Sequence, residues 1–225
     1  MDAHTARTRA DFDRLAALDT GAWSHNSHYH AYLLRHLPRR IDSALEIGCG
    51  TGEFSRLLAR RARRVTALDL SPEMVRVARE RSANYPGIDY IAADATTWDI
   101  SPNTYDCAAS IATLHHLPLE PTLTRMRDAL RPGGTLLVLD LHAPDFPGDY
   151  LRSALALPVS LALRMLHRLP LREPPNVRAA WAEHARHDVY PHVDEVERLC
   201  ARLLPGARVR KHLLWRYSLT WRKPD

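Results

Sequence analysis

Apolar residues along this chain switch between two periods, and the switching outlines an alternating α/β fold. Phe12, Leu15, Ala16 and Leu18 recur at helical spacing, which predicts a helix over residues 8–19. A second helix is expected over residues 28–37, ended by Pro38. From residue 42 to 140 short apolar runs alternate with helical stretches. The runs are Ala44-Leu45, Val65 to Leu68, Ile88 to Ala93, Tyr105 to Ser110 and Thr135 to Leu139. That rhythm demands a doubly wound, mostly parallel sheet. Residues 141–192 break it. Leu151 to Leu169 is a long apolar stretch with Pro158 inside, read as a kinked helix or two short ones. Arg172 to Asn176 reads as a loop. A helix from Val193 through Leu204 follows, and Pro205-Gly206 turns the chain. Two strands close it, over residues 207–213 and 215–222, the second alternating as Trp215, Tyr217, Leu219 and Trp221.

The first strand runs into Glu46-Ile47-Gly48-Cys49-Gly50-Thr51-Gly52, and a helix starts near Phe54. Glycines at every second position let the backbone turn tightly and approach a ligand closely. The second strand ends in Asp69, where a carboxylate can accept from ribose hydroxyls. The third runs into Asp94-Ala95. The loop is not the dinucleotide fingerprint G-x-G-x-x-G, which seats a pyrophosphate. A carboxylate two residues before the first glycine would repel a pyrophosphate and attract a cationic amino group. That favours S-adenosylmethionine (SAM), which carries an ammonium and a sulfonium and no phosphate.

Taken together, these pieces closely resemble the class I SAM-dependent methyltransferases over roughly residues 41–141. The resemblance implies a Rossmann-like doubly wound sheet of seven strands, mostly parallel, with an antiparallel pair at one edge and helical lid segments. It implies one methyltransferase domain over 1–225, with its core at 41–141 and 193–223, an N-terminal lid at 1–40 and an inserted lid at 141–192. It also implies a cofactor site: Glu46, Gly48, Cys49, Gly50 and Gly52 for the methionyl part, Asp69 for the ribose, and Asp94 for the adenine amino group. Leu70 and Met74 would flank the adenine, Ala95 could add a backbone N–H, Ile111 would line the cofactor, and Tyr29 could close over the methionyl end.

Composition adds limits. At 225 residues, 45% hydrophobic and 25% charged, the chain has ordinary globular composition. No signal peptide is apparent, and no apolar run approaches a membrane span, so a cytoplasmic protein is expected. Cys49, Cys107 and Cys200 are widely spaced and read as small core residues, not a disulfide or metal framework. The net charge is +5, and only Lys211 and Lys223 are lysines, as in a product of a GC-rich bacterial genome. The arginines are scattered, as in Arg60-Arg61-Ala62-Arg63-Arg64, and are expected on solvated helix faces rather than on nucleic acid.

Acceptor chemistry should lie outside the core. Of thirteen histidines, five lie in 1–40 and five in 141–192. His25, His28 and His30 sit in one dense polar-aromatic cluster with Trp23 and Tyr29, but without a carboxylate at ligand spacing, so no metal is expected there. His116, in Leu114-His115-His116-Leu117 after the fourth strand, is the first candidate for a general base or a contact to the SAM carboxylate. His142 and His28 are the next catalytic candidates. The Pro-Pro-aromatic signature of amino-methylating nucleic-acid enzymes is absent after the fourth strand, where Ser110-Ile111-Ala112-Thr113 stands. The expected activity is methyl transfer to a small molecule, a specialised metabolite or a peptide precursor. An RNA or protein methyltransferase, and a non-catalytic SAM-binding sensor or partner subunit, remain open.

Overall fold

The computed structural model describes residues 2–19, 21–145, 149–170 and 172–225. Positions 1, 20, 146–148 and 171, which fall within the two expected lid segments, lie outside the described residues.

Seven strands form one sheet: β1 (Ile41–Ile47), β2 (Ala62–Asp69), β3 (Ile88–Ala92), β4 (Tyr105–Ile111), β5 (Leu130–Leu141), β6 (Arg208–Lys211) and β7 (Arg216–Arg222). Their spatial order is β3-β2-β1-β4-β5-β7-β6. The first five are parallel, and β7 runs antiparallel to both β5 and β6. This is the doubly wound sheet that the hydrophobic pattern predicts, with the antiparallel edge pair that the family resemblance implies. Eight helices accompany it among the described residues: α1 (Ala3–Leu18), α2 (Ser27–Leu34), α3 (Glu53–Leu58), α4 (Pro72–Arg81), α5 (Leu119–Ala129), α6 (Asp149–Leu166), α7 (Pro175–His184) and α8 (Val193–Leu203).

Central parallel strands are covered on both faces and therefore read as nearly continuous apolar runs. On one face Leu45, Ile47, Ala108 and Leu136 pack against Leu123 and Met126 of α5 and Val196 and Cys200 of α8. On the other, Ala44, Cys107, Ala109 and Leu137 pack against Leu33 of α2, Leu58 of α3 and Val75 and Ala78 of α4. All three cysteines are buried and free. Among the described residues, no helix is long and apolar enough to cross a membrane.

Several elements differ from the sequence pattern, each for a local reason. α2 ends at Leu34, before Pro38, because Arg61 donates from its guanidinium to the carbonyls of Leu34 and Leu37. Arg61 is thus a helix cap, and Arg63 and Arg64 belong to β2, so the arginine run is not a solvated helix face. β5 begins at Leu130, five residues before its apolar run. Gly133 donates to Lys223 and Arg131 reaches the Thr104 carbonyl, so pairing on both sides draws Arg131-Pro132-Gly133-Gly134 into the strand. Of the two alternatives for the Leu151–Leu169 stretch, the structure has one helix, α6, which runs through Pro158 and ends at Leu166. The carbonyl that Pro158 leaves unpaired belongs to Ala154, which is exposed to water. α7 starts within the expected loop, because Pro175 fits the first helical position.

Candidate active site

Strand order reverses between β1 and β4, so their C-terminal ends leave a crevice. A cavity of about 1130 Å³ occupies it. The glycine loop forms its floor. The Gly48 and Cys49 amides both donate to the Leu68 carbonyl, at 2.8 and 2.9 Å, which folds the loop flat over β2. Gly48 has φ +74°, and a Cβ there would stand 2.0 Å from Thr113 Oγ1. Gly52, at φ +78°, would place a Cβ 2.3 Å from the Tyr90 hydroxyl. Both positions combine a left-handed backbone with a close neighbour, and only glycine meets both conditions.

Three acids face this floor. Glu46 is 1% exposed, and its carboxyl accepts from Ser55 Oγ at 2.5 Å. Burial, more than any neighbour, pushes its pKa up to about 8. Asp69 accepts from the Gly50 amide at 2.7 Å and the Ser71 amide at 2.9 Å. Burial still raises its pKa to about 6. Asp94 accepts from the Thr96 amide and hydroxyl through Oδ1, leaving Oδ2 free of these bonds. Each carboxylate keeps lone pairs for ligand donors. Leu70, Met74, Ala95 and Ile111 supply apolar wall, and Cys49 lines the floor with a thiol held protonated by burial.

The opposite end of the cavity is built from histidines and carboxylates. A single turn of 3-10 helix, Leu114–His116, follows β4. Asp140, fully buried near the end of β5, accepts from the His115 amide at 2.9 Å and pairs with His115 Nδ1 at 2.6 Å. His116 Nδ1 lies 3.5 Å from Asp188 Oδ1, which is also 3.7 Å from His184 Nε2. His184 Nδ1 in turn lies 3.4 Å from Asp11 of α1. Phe12 stands edge-on to the His116 and His184 rings, with centroids 5.4 and 4.8 Å away. Burial, then the neighbouring His115 and His184, lowers the His116 pKa to about 2, so its ring is neutral.

Of the residues expected at the site from sequence, His116, Glu46, Gly48, Cys49, Gly50, Asp69, Leu70, Met74, Asp94, Ala95 and Ile111 line this cavity. Gly52 sits behind it at the start of α3. Tyr29, His28 and His142 do not line it. The Tyr29 hydroxyl donates to the Leu213 carbonyl at 2.6 Å, and its ring packs on His28 and His212. Helix α2 turns that face toward the β6–β7 connection, and it turns His30 toward the glycine loop instead. His30 is 4% exposed, and its Nε2 is buried without a hydrogen-bond partner among the described residues. His142 is held by its own loop, with Nδ1 2.8 Å from the Ala143 carbonyl oxygen. Of the three catalytic candidates, His116 alone lines the cavity, and His30 lines it at the glycine-loop end. Residues missing from the sequence reading are Asp140, Asp188, His184 and Asp11. The one signal for Asp140 is an acid alone in the apolar run Leu136 to Leu141.

Both flanking segments reach the cavity. Trp23, Ser24 and Asn26 line it from the first, and Pro174, Val177, Trp181 and Asp188 from the second. Two carboxylates latch α1 and its following loop onto the core. Asp13 accepts from Ser71 Oγ at 2.5 Å, and Asp19 accepts from Thr51 Oγ1 at 2.6 Å and Arg81 at 3.0 Å.

A flat glycine loop and three acids at the switch point of such a sheet define a nucleoside-cofactor site in an α/β enzyme. It offers a buried, protonated carboxyl at Glu46 and a buried imidazole nitrogen at His30 without a hydrogen-bond partner among the described residues, beside a glycine loop packed against Thr113. Residues 44–134 match the methyltransferase domain family. An uncharacterized methyltransferase of Mycobacterium tuberculosis is 32% identical over 207 residues, spanning 90% of this chain and 98% of that protein. Trans-aconitate 2-methyltransferase of Streptomyces avermitilis is 41% identical over 106 residues, 44% of this chain and 39% of that enzyme. The fold is shared with the N-methyltransferase NodS of Bradyrhizobium japonicum in complex with S-adenosylhomocysteine, with a TM-score of 0.65 at 18% identity over 97% of this chain and 99% of that one. The DhpI–SAH complex gives a TM-score of 0.66 at 20% identity, covering 99% and 96%. The chain belongs to the class I SAM-dependent methyltransferases, and SAM is its cofactor.

Glu46 sets a pH dependence. The unfolded chain ionises it near its ordinary value of 4.5, and the folded ligand-free protein only near 8. Its contribution to stability is therefore fully present below pH 4.5 and lost as pH rises through about 8, a loss on the order of a few kcal/mol. Glu46→Gln should flatten the fall in thermal midpoint across that window, measured without SAM. A midpoint that falls equally in both proteins would show that other groups set the slope.

Proposed function

We propose that this methyltransferase transfers the SAM methyl group to a small molecule bound at the His115–His116 end of the cavity. The observation that carries this reading is the cavity itself: one continuous space with buried acids at one end and buried His–Asp pairs at the other. Its volume of about 1130 Å³ exceeds the usual single-ligand range of about 300–1,000 Å³, enough for a cofactor and a compact acceptor together. The apolar wall of Leu117, Pro118, Pro174, Val177 and Trp181 suits a partly apolar acceptor.

Glu46 and His30 then hold the methionyl ammonium and carboxylate, Asp69 the ribose hydroxyls, and Asp94 the adenine amino group, with Leu70 and Met74 against the ring and the Ala95 amide in reach. His116 and His115 face the acceptor, and Asp140 positions the His115 ring. Methyl transfer is an in-line displacement, so the protein gains most by aligning the nucleophile and excluding water. The segments 1–40 and 141–192 act as lids of one domain in this assignment, and α1 and α7 do the excluding.

A bacterial specialised metabolite or peptide precursor is the acceptor class we favour, in the cytoplasm. Arginine-rich composition and similarity to mycobacterial and Streptomyces proteins support that origin. Many surface arginines are already matched by acids, as in Arg76 with Glu73 and Glu80, Arg198 with Asp194, and Arg202 with Glu120, which argues against a phosphate-binding face.

The deciding experiment incubates the enzyme and methyl-labelled SAM with fractionated bacterial extract. Label is expected in a low-molecular-mass product. Label confined to RNA or protein would reverse the assignment, and SAM binding with no transfer to any fraction would favour a sensor. Asp69→Ala should weaken SAM by about 1.5–3 kcal/mol for each charge-assisted hydrogen bond lost, read by calorimetry. Unchanged affinity would refute its ribose role. With its pKa lowered so far, His116 is a poor base, and His116→Ala should lower turnover at saturating SAM by about 10²-fold through lost positioning of the acceptor. A loss of SAM affinity with turnover preserved would move His116 to the cofactor.

A further inference from the structure

We propose that His115, His116 and Asp188 form a binding site for a divalent first-row transition-metal ion at the acceptor end of the cavity. Each of the three offers a ligand atom within 4.8 Å of the other two. They come from separate parts of the fold: the 3-10 turn after β4 and the segment after α7. Two imidazoles and one carboxylate make a nitrogen-rich donor set, which suits zinc, cobalt, nickel or iron(II) rather than magnesium or calcium.

The surroundings of these donors are those of ligands. Metal-bound histidines usually give their second ring nitrogen to a carboxylate, which fixes the ring and raises its basicity. His115 does so: Nδ1 is engaged by the buried Asp140 at 2.6 Å, leaving Nε2 for another partner. Asp188 is held the same way. Its Oδ2 accepts from the Tyr190 hydroxyl at 2.9 Å, while Oδ1 is shared between His116 and His184 at 3.5 and 3.7 Å. Those last two separations exceed good hydrogen-bond length, so Oδ1 has acceptor capacity to spare. The His115 and His116 ring centroids are only 3.9 Å apart, and those of His116 and His184 are 4.9 Å apart. Three packed imidazoles with three carboxylates among and behind them make sense around a shared cation. Burial adds to this, since side chains of His115, His116, His184 and Asp188 are all 4–6% exposed.

Three protein ligands leave coordination positions open. All three residues line the cavity, so the open side faces the acceptor. The site also narrows the acceptor class, a step that rests on the methyl-transfer reading. An oxygen nucleophile could coordinate the ion and release its proton to solvent at neutral pH. Its lone pair would then form the new O–CH₃ bond as the methyl–sulfur bond breaks, with the electron pair staying on sulfur and S-adenosylhomocysteine leaving. A hydroxyl with a second oxygen placed to chelate would be the preferred acceptor.

Other histidine groupings do not compare. His25 pairs with Ser160, His28 packs on Tyr29, and His30 faces Glu53, so the cluster read from sequence points in three directions. Asp145, His192 and Asp194 also lie close together, but they are more exposed, and Lys211 already neutralises Asp145.

The test uses the untagged, chelator-treated full chain titrated with Co²⁺, followed by visible absorption and calorimetry, with SAM binding measured on the same samples. One equivalent is expected, with the intense absorption of a four- or five-coordinate, nitrogen-ligated ion. Asp140→Asn should weaken Co²⁺ by about 10–100-fold, and His116→Ala and Asp188→Asn by more. His192→Asn should bind as the wild type does. A weak, water-like six-coordinate spectrum in the wild type overturns the proposal, whatever the fate of the variants. Equal affinity in folded His116→Ala or Asp188→Asn also overturns it. Loss of the cobalt site alone, with SAM binding intact, removes the metal and leaves the methyltransferase site standing. Stoichiometric cobalt without SAM binding would remove the cofactor assignments and leave the metal site.

Discussion

Gly48 has no room for a side chain, and that close approach to Thr113 sets the geometry of the whole site. It brings the loop after β1 against the loop after β4, where the strand order reverses. The backbone of the glycine loop is then held to β2 by the Leu68 carbonyl, and Asp69 is held to the loop by the Gly50 amide. One contact between loops thereby joins the end of three strands. The 3-10 turn that carries His115 and His116 begins immediately after Thr113, so its position follows from the same contact.

The two ends of the cavity keep buried ionisable groups in opposite ways. At the cofactor end, Glu46 is stored largely protonated, with one hydrogen bond from Ser55. A ligand bearing a positive charge supplies what desolvation took away, and the carboxyl can ionise against it. Asp69 is different, because two backbone amides already favour its charged form and hold its rise to about 6. At the far end each histidine has a carboxylate neighbour, and no arginine or lysine pairs with Asp11 Oδ2, Asp140 or Asp188 among the described residues. His116, which burial keeps neutral, can serve there as an acceptor or ligand, which a cationic imidazole could not.

Helix α1 joins these ends. Its latches, Asp13 on Ser71 and Asp19 on Thr51, reach the loops beside the ribose and methionyl positions, while Phe12 and Asp11 lean on His116 and His184. A helix with weakly segregated polar and apolar faces is thus held by specific hydrogen bonds, by Phe12 against two histidine rings, and by Leu15 and Ala16 packed on Met74 and Val77 of α4. Helix α7 meets it from the other side, so the polar cluster is enclosed between elements from opposite ends of the chain.

The alternation of short apolar runs and helical spacings by itself determined the parallel core, because a doubly covered strand must be apolar on both faces. The glycine loop and the acids after β2 and β3 were legible for a similar reason: each lies within a few residues of the strand end that positions it. Capping by Arg61 and extension of β5 through Gly133-Gly134 were not, and the choice between one helix and two across Pro158 stayed open, since partners distant in sequence or exposure to water decided them. Tyr29 and His28 looked like site residues by composition, yet the face of α2 they occupy turns toward Leu213 and His212, while His30 one position on meets the glycine loop. The acceptor end is the clearest case. Asp11 and His184 stand 173 residues apart in sequence, and Asp140 lies 25 residues from His115. No local period links such residues, because their meeting depends on where the sheet places the ends of β4 and β5 and on how α1 and α7 pack across them.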